Sequence, residues 1–275
     1  MLAGMATLPV AATAASISAN WAGYVALPKS SRSFTSVSGS WIEPTLTCSA
    51  GRESYSAVWV GLGGYHTSSR GLEQIGAEAD CLRNGQASYA TWYELIPAGP
   101  IALNLKTRPG DQMTASVTVI GQHATLRLRD LTMGTRYSVT KEVSSVDTSS
   151  AEWIIEAPSS CFTTSACQTL ALSDFGTLSF SSATATVGAQ TEPANAPSWS
   201  EVELELRQGS AVGGGRGGRH AGAESGASLI DAAPSSLSGS QGAFTVRWQE
   251  EPLQGEEEPA PGPLPGFGSA SAFRA

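Results

Sequence analysis

Glu201-Val202-Glu203-Leu204-Glu205-Leu206-Arg207 alternates charged and aliphatic side chains over seven residues. A period of two belongs to an extended chain, and it puts Val202, Leu204 and Leu206 on one face. Weaker versions recur at 55–62, 88–95, 112–120, 124–128, 136–143, 151–156, 175–180 and 243–248, each bounded by turn residues. No stretch sustains a 3.6-residue repeat over three turns, which argues against βαβ units. Short strands in this number predict an all-β fold, an antiparallel sandwich of two packed, curved sheets spanning residues 18–248 as one domain.

Composition narrows the function. The chain has 275 residues, 41% hydrophobic and only 15% charged, with a formal net charge of −8. That length buries a sizeable core. The acidic balance, with 16 cations against 24 acids, leaves no Lys/Arg stripe for phosphates, so no nucleic-acid partner is expected. No apolar run reaches the ~20 residues of a membrane span. Two segments stand apart from the domain: the Gly-rich loop 209–226, and an acidic Pro/Gly-rich tail at 249–275 whose composition predicts disorder.

The four cysteines are Cys48, Cys81, Cys161 and Cys167. An even number without a CxxC pair favours disulfides over zinc. The short loop between Cys161 and Cys167 suggests a local pair, leaving Cys48 with Cys81; spacing alone leaves all three connectivities open. Residues 1–17 read either as a signal-peptide remnant lacking its basic start or as a flexible N-terminus. Secretion is the expectation.

Familiar catalytic signatures are missing. His66, His123 and His220 show no metal-ligand spacing, and there is no GxSxG elbow. The formal GxGxxG at 213–218 is followed by no periodic helix, which makes it an accident of glycine content. Alternation does place Glu152, Ile154 and Glu156 on one strand face, and Trp92 with Glu94 on another. Trp59 interrupts an aliphatic strand, and Gln74 lies in the strand-like run 72–76. Acids and indoles at same-face positions suit one wall of a binding surface. For any single Glu, an outward solvated position is the commoner explanation.

These blocks also carry a resemblance. Ser18-Ala19-Asn20-Trp21-Ala22-Gly23-Tyr24, Ala57-Val58-Trp59-Val60-Gly61-Leu62-Gly63-Gly64, Leu72-Glu73-Gln74-Ile75-Gly76, Tyr89-Ala90-Thr91-Trp92-Tyr93-Glu94 and Ala151-Glu152-Trp153-Ile154-Ile155-Glu156 occur in the order of the glutamic peptidases, the eqolisin family. The later 173–180 and 244–248 look similar too. The resemblance implies a concanavalin-like jelly-roll sandwich and acid-acting endopeptidase activity on a protein or peptide substrate, without metal or organic cofactor. It implies Gln74 and Glu156 as the catalytic pair, with Glu152 the alternative acid if the register is off by one repeat of the face. Trp59, Trp92, Glu94 and Glu152 then surround the substrate. In such a mechanism Glu156 is general base and acid on a water, and Gln74 orients the water and donates to the oxyanion. An amide suits acid because it keeps its donor at any pH.

The chain departs from the family in three places. Gly63 stands where many members carry Asp, which bears on the pH optimum. Fewer than twenty residues precede the first block, so a pro-segment is expected to be missing from this N-terminus. The 209–226 loop and the tail are not family features. The rival readings are a carbohydrate-binding sandwich of the lectin type and a glycoside hydrolase using Glu94 and Glu156. A monomer is the default expectation.

Overall fold

The computed structural model describes residues 15–29, 32–163, 166–208 and 231–249. The strands are β1 Ser16–Ser18, β2 Trp21–Pro28, β3 Phe34–Ile42, β4 Ala57–Gly63, β5 Leu72–Cys81, β6 Ala87–Ile96, β7 Ile101–Ala102, β8 Gln112–Ile120 and β9 His123–Asp130. They continue with β10 Thr135–Glu142, β11 Ala151–Glu156, β12 Ser159–Thr163, β13 Ala166–Thr169, β14 Thr177–Val187, β15 Gln190–Pro193, β16 Trp199–Leu206, β17 Ala232–Pro234 and β18 Phe244–Trp248. No helix occurs among the described residues, as the lack of a 3.6 repeat implied.

One hydrogen-bonded path runs β10-β9-β8-β3-β14-β18-β17-β16-β2-β11-β4-β5-β6-β7. It folds back on itself, so that β3, β8 and β9 pack across the core against β4, β5 and β11. All pairings along the path are antiparallel; β1 alone joins β16 in parallel, from beside that path. The core between the layers holds Trp41, Trp153, Phe180, Leu62, Ile75 and Leu126 among its largest members. The alternate residues of β4, β5 and β11 point the other way, into a smaller cluster of Val25, Ala57, Trp59, Leu72, Trp92, Ile154 and Leu204. These strands are therefore apolar on both faces, and their second face carries the candidate site.

The alternation at 201–207 is real but does not serve one core. Val202 and Leu204 pack in the smaller cluster, whereas Leu206 reaches the large one. β3 escaped the reading because Gly39 takes an inward position between Val37 and Trp41 and exposed Ile42 an outward one, which breaks the apolar contrast of its two faces. Ser16 and Ile17 lie in β1, paired with Leu204 and Glu205. Residues 1–14, the 209–226 loop and all of the tail beyond Gln249 lie outside the described residues. Cys48 and Cys81 form a disulfide with Cα atoms 5.3 Å apart, closing a 33-residue separation. Cys167 is also disulfide-bonded, and the β12–β13 register places Cys161 opposite it.

Candidate active site

The ladder decides which side chains become neighbours. Gln74 on β5 lies opposite Gly61 on β4 and Glu94 on β6, and Gly61 lies opposite Glu152 on β11. The next row along the face is Ile154, Trp59, Gly76 and Trp92. The row after that joins Glu156 to Trp21 and Ala57. Glycines make this arrangement possible. A Cβ at Gly76 would sit 2.0 Å from the Val58 carbonyl oxygen and 2.7 Å from Trp59 Cβ. At Gly61 it would meet the Trp59 ring at 2.9 Å and Leu72 at 3.0 Å. The ring of Trp59 thus comes within contact of Gly61, in the row of Gln74, while its N–H reaches Glu156 in the next row.

Glu156 is held by its neighbours. Trp59 Nε1 donates to its Oε2 at 2.9 Å, and Asn20 Nδ2 donates to its Oε1 at 3.0 Å. Asn20 is itself anchored, because the N–H of Ala157 donates to its carbonyl oxygen at 2.8 Å. Trp21 packs edge-on against Trp59, centroids 5.0 Å apart, and turns its indole toward the same carboxyl. Burial pushes the Glu156 carboxyl up to about 7, against the lowering effect of the Trp59, Trp21 and Asn20 donors; the charge of Glu94 adds to the rise. Glu94 is raised by burial as well, and relieved by Gln74, whose Nε2 donates to Glu94 Oε2 at 2.7 Å. The amide of Gln74 therefore serves Glu94, and Gln74 and Glu156 meet through Glu94 and Trp59 without a hydrogen bond of their own.

Besides the carboxyl oxygens of Glu152, Gln74 Oε1 and Trp92 Nε1 on this face are buried without a protein partner, and Trp21 Nε1 points at Glu156 without closing a hydrogen bond of ordinary length. An unpaired buried donor or acceptor costs about 1–3 kcal/mol. Of the residues expected to line a substrate wall, Glu94 and Glu156 are half-buried and reachable. Trp59 is fully enclosed and Trp92 only 7% exposed. Glu152 is 0% exposed, with neither carboxyl oxygen partnered, and burial, then Asp147 and Glu73, hold it well above the ordinary range.

Two residues of this region had no role in the sequence reading. Asn20 stood inside a quoted block, but only the fold shows what its amide grips. Asp147 lies in the β10–β11 connection, outside every motif. Its Oδ2 accepts from Ser69 Oγ and, at 3.4 Å, from Gly64 N; its Oδ1 accepts from Ser149 N at 2.9 Å. Although burial pushes it up, the bonds from Ser149, Ser69 and Gly64 hold the Asp147 carboxyl below its usual value. Gly63 explains itself here. Its φ is +85°, and a Cβ would strike the Asp147 carbonyl oxygen at 2.5 Å and its Cβ at 2.7 Å. Asp147 fills the space a side chain at 63 would take, so an acid approaches from another loop.

The Asn20 contact predicts a kinetic effect. Asn20→Ala removes a donor that favours ionised Glu156, so the carboxyl climbs further. If Glu156 acts ionised, the acidic limb of kcat/KM against pH moves up by as much as about one unit, with roughly tenfold less activity below it. A uniform loss without displacement of the limb assigns Asn20 a structural role only.

Comparison with known proteins agrees with this architecture. A family model described as the Peptidase A4 family matches residues 19–210. Aspergillopepsin-2 of Aspergillus niger is 28% identical over 199 residues, 63% of this chain and 66% of that protein. Scytalido-glutamic peptidase, solved with a peptide-based transition-state analogue, superposes with a TM-score of 0.66 at 19% identity, covering 84% of this chain and 98% of that one. Aspergilloglutamic peptidase from Aspergillus niger gives 0.56 at 22% identity, covering 71% and 99%. At such identities the structures speak to the fold, and the sequence model, spanning more than half the chain, speaks to descent: the chain belongs to the Peptidase A4 family, the glutamic peptidases or eqolisins.

Proposed function

We propose that this protein is a secreted endopeptidase in which Glu156 and Gln74 act on a water and the scissile carbonyl. The observation that carries the reading is the Glu156 carboxyl: reachable, gripped by N–H donors, and on one face with the unpartnered Gln74 Oε1. Its relatives support it, since SCP-B of the eqolisin family was solved with the tripeptide Ala-Ile-His and scytalido-glutamic peptidase with a peptide-based transition-state analogue. Ionised Glu156 takes a proton from water, which attacks the carbonyl carbon; the resulting carboxylic acid returns that proton to the leaving nitrogen. Gln74 Oε1 accepts from the water, and its Nε2, released from Glu94, donates to the oxyanion. Glu156 rather than Glu152 is the base because a general base must reach its water, and Glu152 is fully buried.

The pH range follows from the same carboxyl. A base raised to about 7 loses its ionised fraction about tenfold per unit as pH falls below that value. Activity is therefore expected to climb from about pH 2–3 toward neutrality for as long as the fold stays intact. The test is hydrolysis of an unfolded protein between about pH 2 and 8 with a chelator present. Chelator-resistant cleavage rising toward weakly acidic pH supports the reading, and a folded protein that cleaves nothing overturns it. Enclosed Trp59 and Trp92 offer no free ring face for a sugar, which removes the main support for a lectin.

A further inference from the structure

We propose that β10 pairs antiparallel with β10 of a second copy of this chain, about a two-fold axis through Val139, to make a weak homodimer in place of the default monomer. β10 bonds only to β9 and ends the hydrogen-bonded path, so one side of Thr135–Glu142 has no strand beside it among the described residues. Its residues are exposed or half-buried along their whole length. Such an edge is a template for another strand, and proteins commonly blunt it with charges. Here both signs occur, Arg136 and Lys141 against Glu142, so the order of the charges selects the partner.

Symmetry limits the registers, because a two-fold axis perpendicular to the sheet keeps outward residues opposite outward ones. Centred on Val139, it sets Arg136 opposite the partner's Glu142, Tyr137 opposite the partner's Lys141, Ser138 opposite the partner's Thr140, and Val139 opposite its own copy. Each of the first three pairs forms twice. They are an ion pair, a ring beside an ammonium and two hydroxyls, and with the facing valines all are favourable cross-strand neighbours. Moving the centre by one residue, to Ser138 or Thr140, sets all three charged side chains against uncharged residues. An unbalanced charge points to the same partner. Arg136 lies directly opposite Arg129 on β9, where like charges repel. Neither guanidinium has an ion pair among the described residues. Asp130, next to Arg129, turns into the interior and is only 1% exposed. Glu142 of the same chain stands opposite His123, about 20 Å along the strand from Arg136. In the dimer the outer row reads Arg129, Arg136, the partner's Glu142 and the partner's His123, and an acid reaches the two arginines.

Sedimentation equilibrium of the full chain at weakly acidic pH and low salt tests this. One pair of short strands buries less than a standard interface, so wild type is expected to dimerise with a Kd of about 10–100 µM. Arg136→Glu and Glu142→Arg each set like charges opposite one another twice, and each should weaken the dimer about tenfold. Combining Arg136→Glu with Glu142→Arg restores both ion pairs and should return the Kd to within about threefold of wild type. Damage to the fold cannot produce that rescue. Register is read separately by mixing Ser138→Cys with Thr140→Cys under mild oxidation; the mixture is expected to cross-link about tenfold more than either variant alone. A wild type that stays monomeric to about 500 µM overturns the proposal. So does a dimer indifferent to both single reversals, or a loss that the combined variant fails to recover. The readout is mass, so these outcomes stand apart from the peptidase reading.

Discussion

Glu156→Gln is expected to lower kcat/KM on a peptide by about 10²–10⁴-fold, the usual worth of a positioned acid–base group, with little change in the fold. Gln is nearly isosteric and keeps one of the Asn20 and Trp59 donors on its single oxygen while its NH2 faces the other, so the variant removes proton transfer together with one hydrogen bond. Gln74→Ala is expected to cost about 10²–10³-fold, the range for one lost oxyanion donor. The two act in a single step, so the double variant should be only slightly worse than Glu156→Gln alone. Glu152→Gln separates the alternative acid. Its carboxyl is enclosed and held protonated, so the neutral amide should leave kcat almost unchanged and, if anything, steady the fold. Full activity in Glu156→Gln together with an inactive Glu152→Gln would move the base one repeat along β11 and refute the assignment made here.

Folding stability is expected to collapse between weakly acidic and neutral pH. Glu43 is 1% exposed; burial raises its carboxyl to about 8, relieved by the Trp41 N–H and raised again by Asp111 and Asp130. Glu73 is 0% exposed and is likewise raised to about 8, chiefly by burial, with Asp147 adding to it. Neither has a cation among the groups acting on it. The unfolded chain releases these protons near pH 4.3, whereas the native state keeps them until about 8. Between those values the native state binds more protons, so stability is greatest below about pH 4 and falls as pH rises. Each group contributes about 1.4 kcal/mol per unit, hence about 5 kcal/mol over the interval. Two such groups rival the 5–15 kcal/mol that holds a typical domain together.

Denaturant or thermal melts at about pH 4, 5.5 and 7 measure this directly, and Glu73→Gln should flatten the slope by about 1.4 kcal/mol per unit. Stability that is level or rises with pH contradicts the account. Together with the ionisation of Glu156, this slope brackets the working range. Too much acid protonates the base, and neutrality loosens the fold that carries it.

Much of this protein is legible without coordinates. Period-two alternation announces strands because an extended backbone sends successive side chains to opposite faces, and that rule holds at 112–120 and 151–156 to the residue. The shared face of Glu152, Ile154 and Glu156, and the Gln74 and Trp92–Glu94 positions, follow from the same rule. It fails where a glycine empties an inward position, as Gly39 does in β3; in β4, read as a strand at 55–62, both faces are apolar, so alternation tells nothing of which face each residue takes.

What the tertiary structure decided is which side chains meet. The sequence put Glu152 and Glu156 on one face, with Glu152 the alternative acid; the fold buries the first completely and gives the second the Trp59 N–H. Asn20 and Asp147 come from a bend and a loop, where no periodicity reports direction, and Asp147 reaches the site from 84 residues beyond the Gly63 it abuts (147 − 63). Local periodicity fixes the direction of a side chain relative to its own strand. Its distance to a partner depends on strand order, register and the close approaches that glycines permit, and those belong to the folded chain alone.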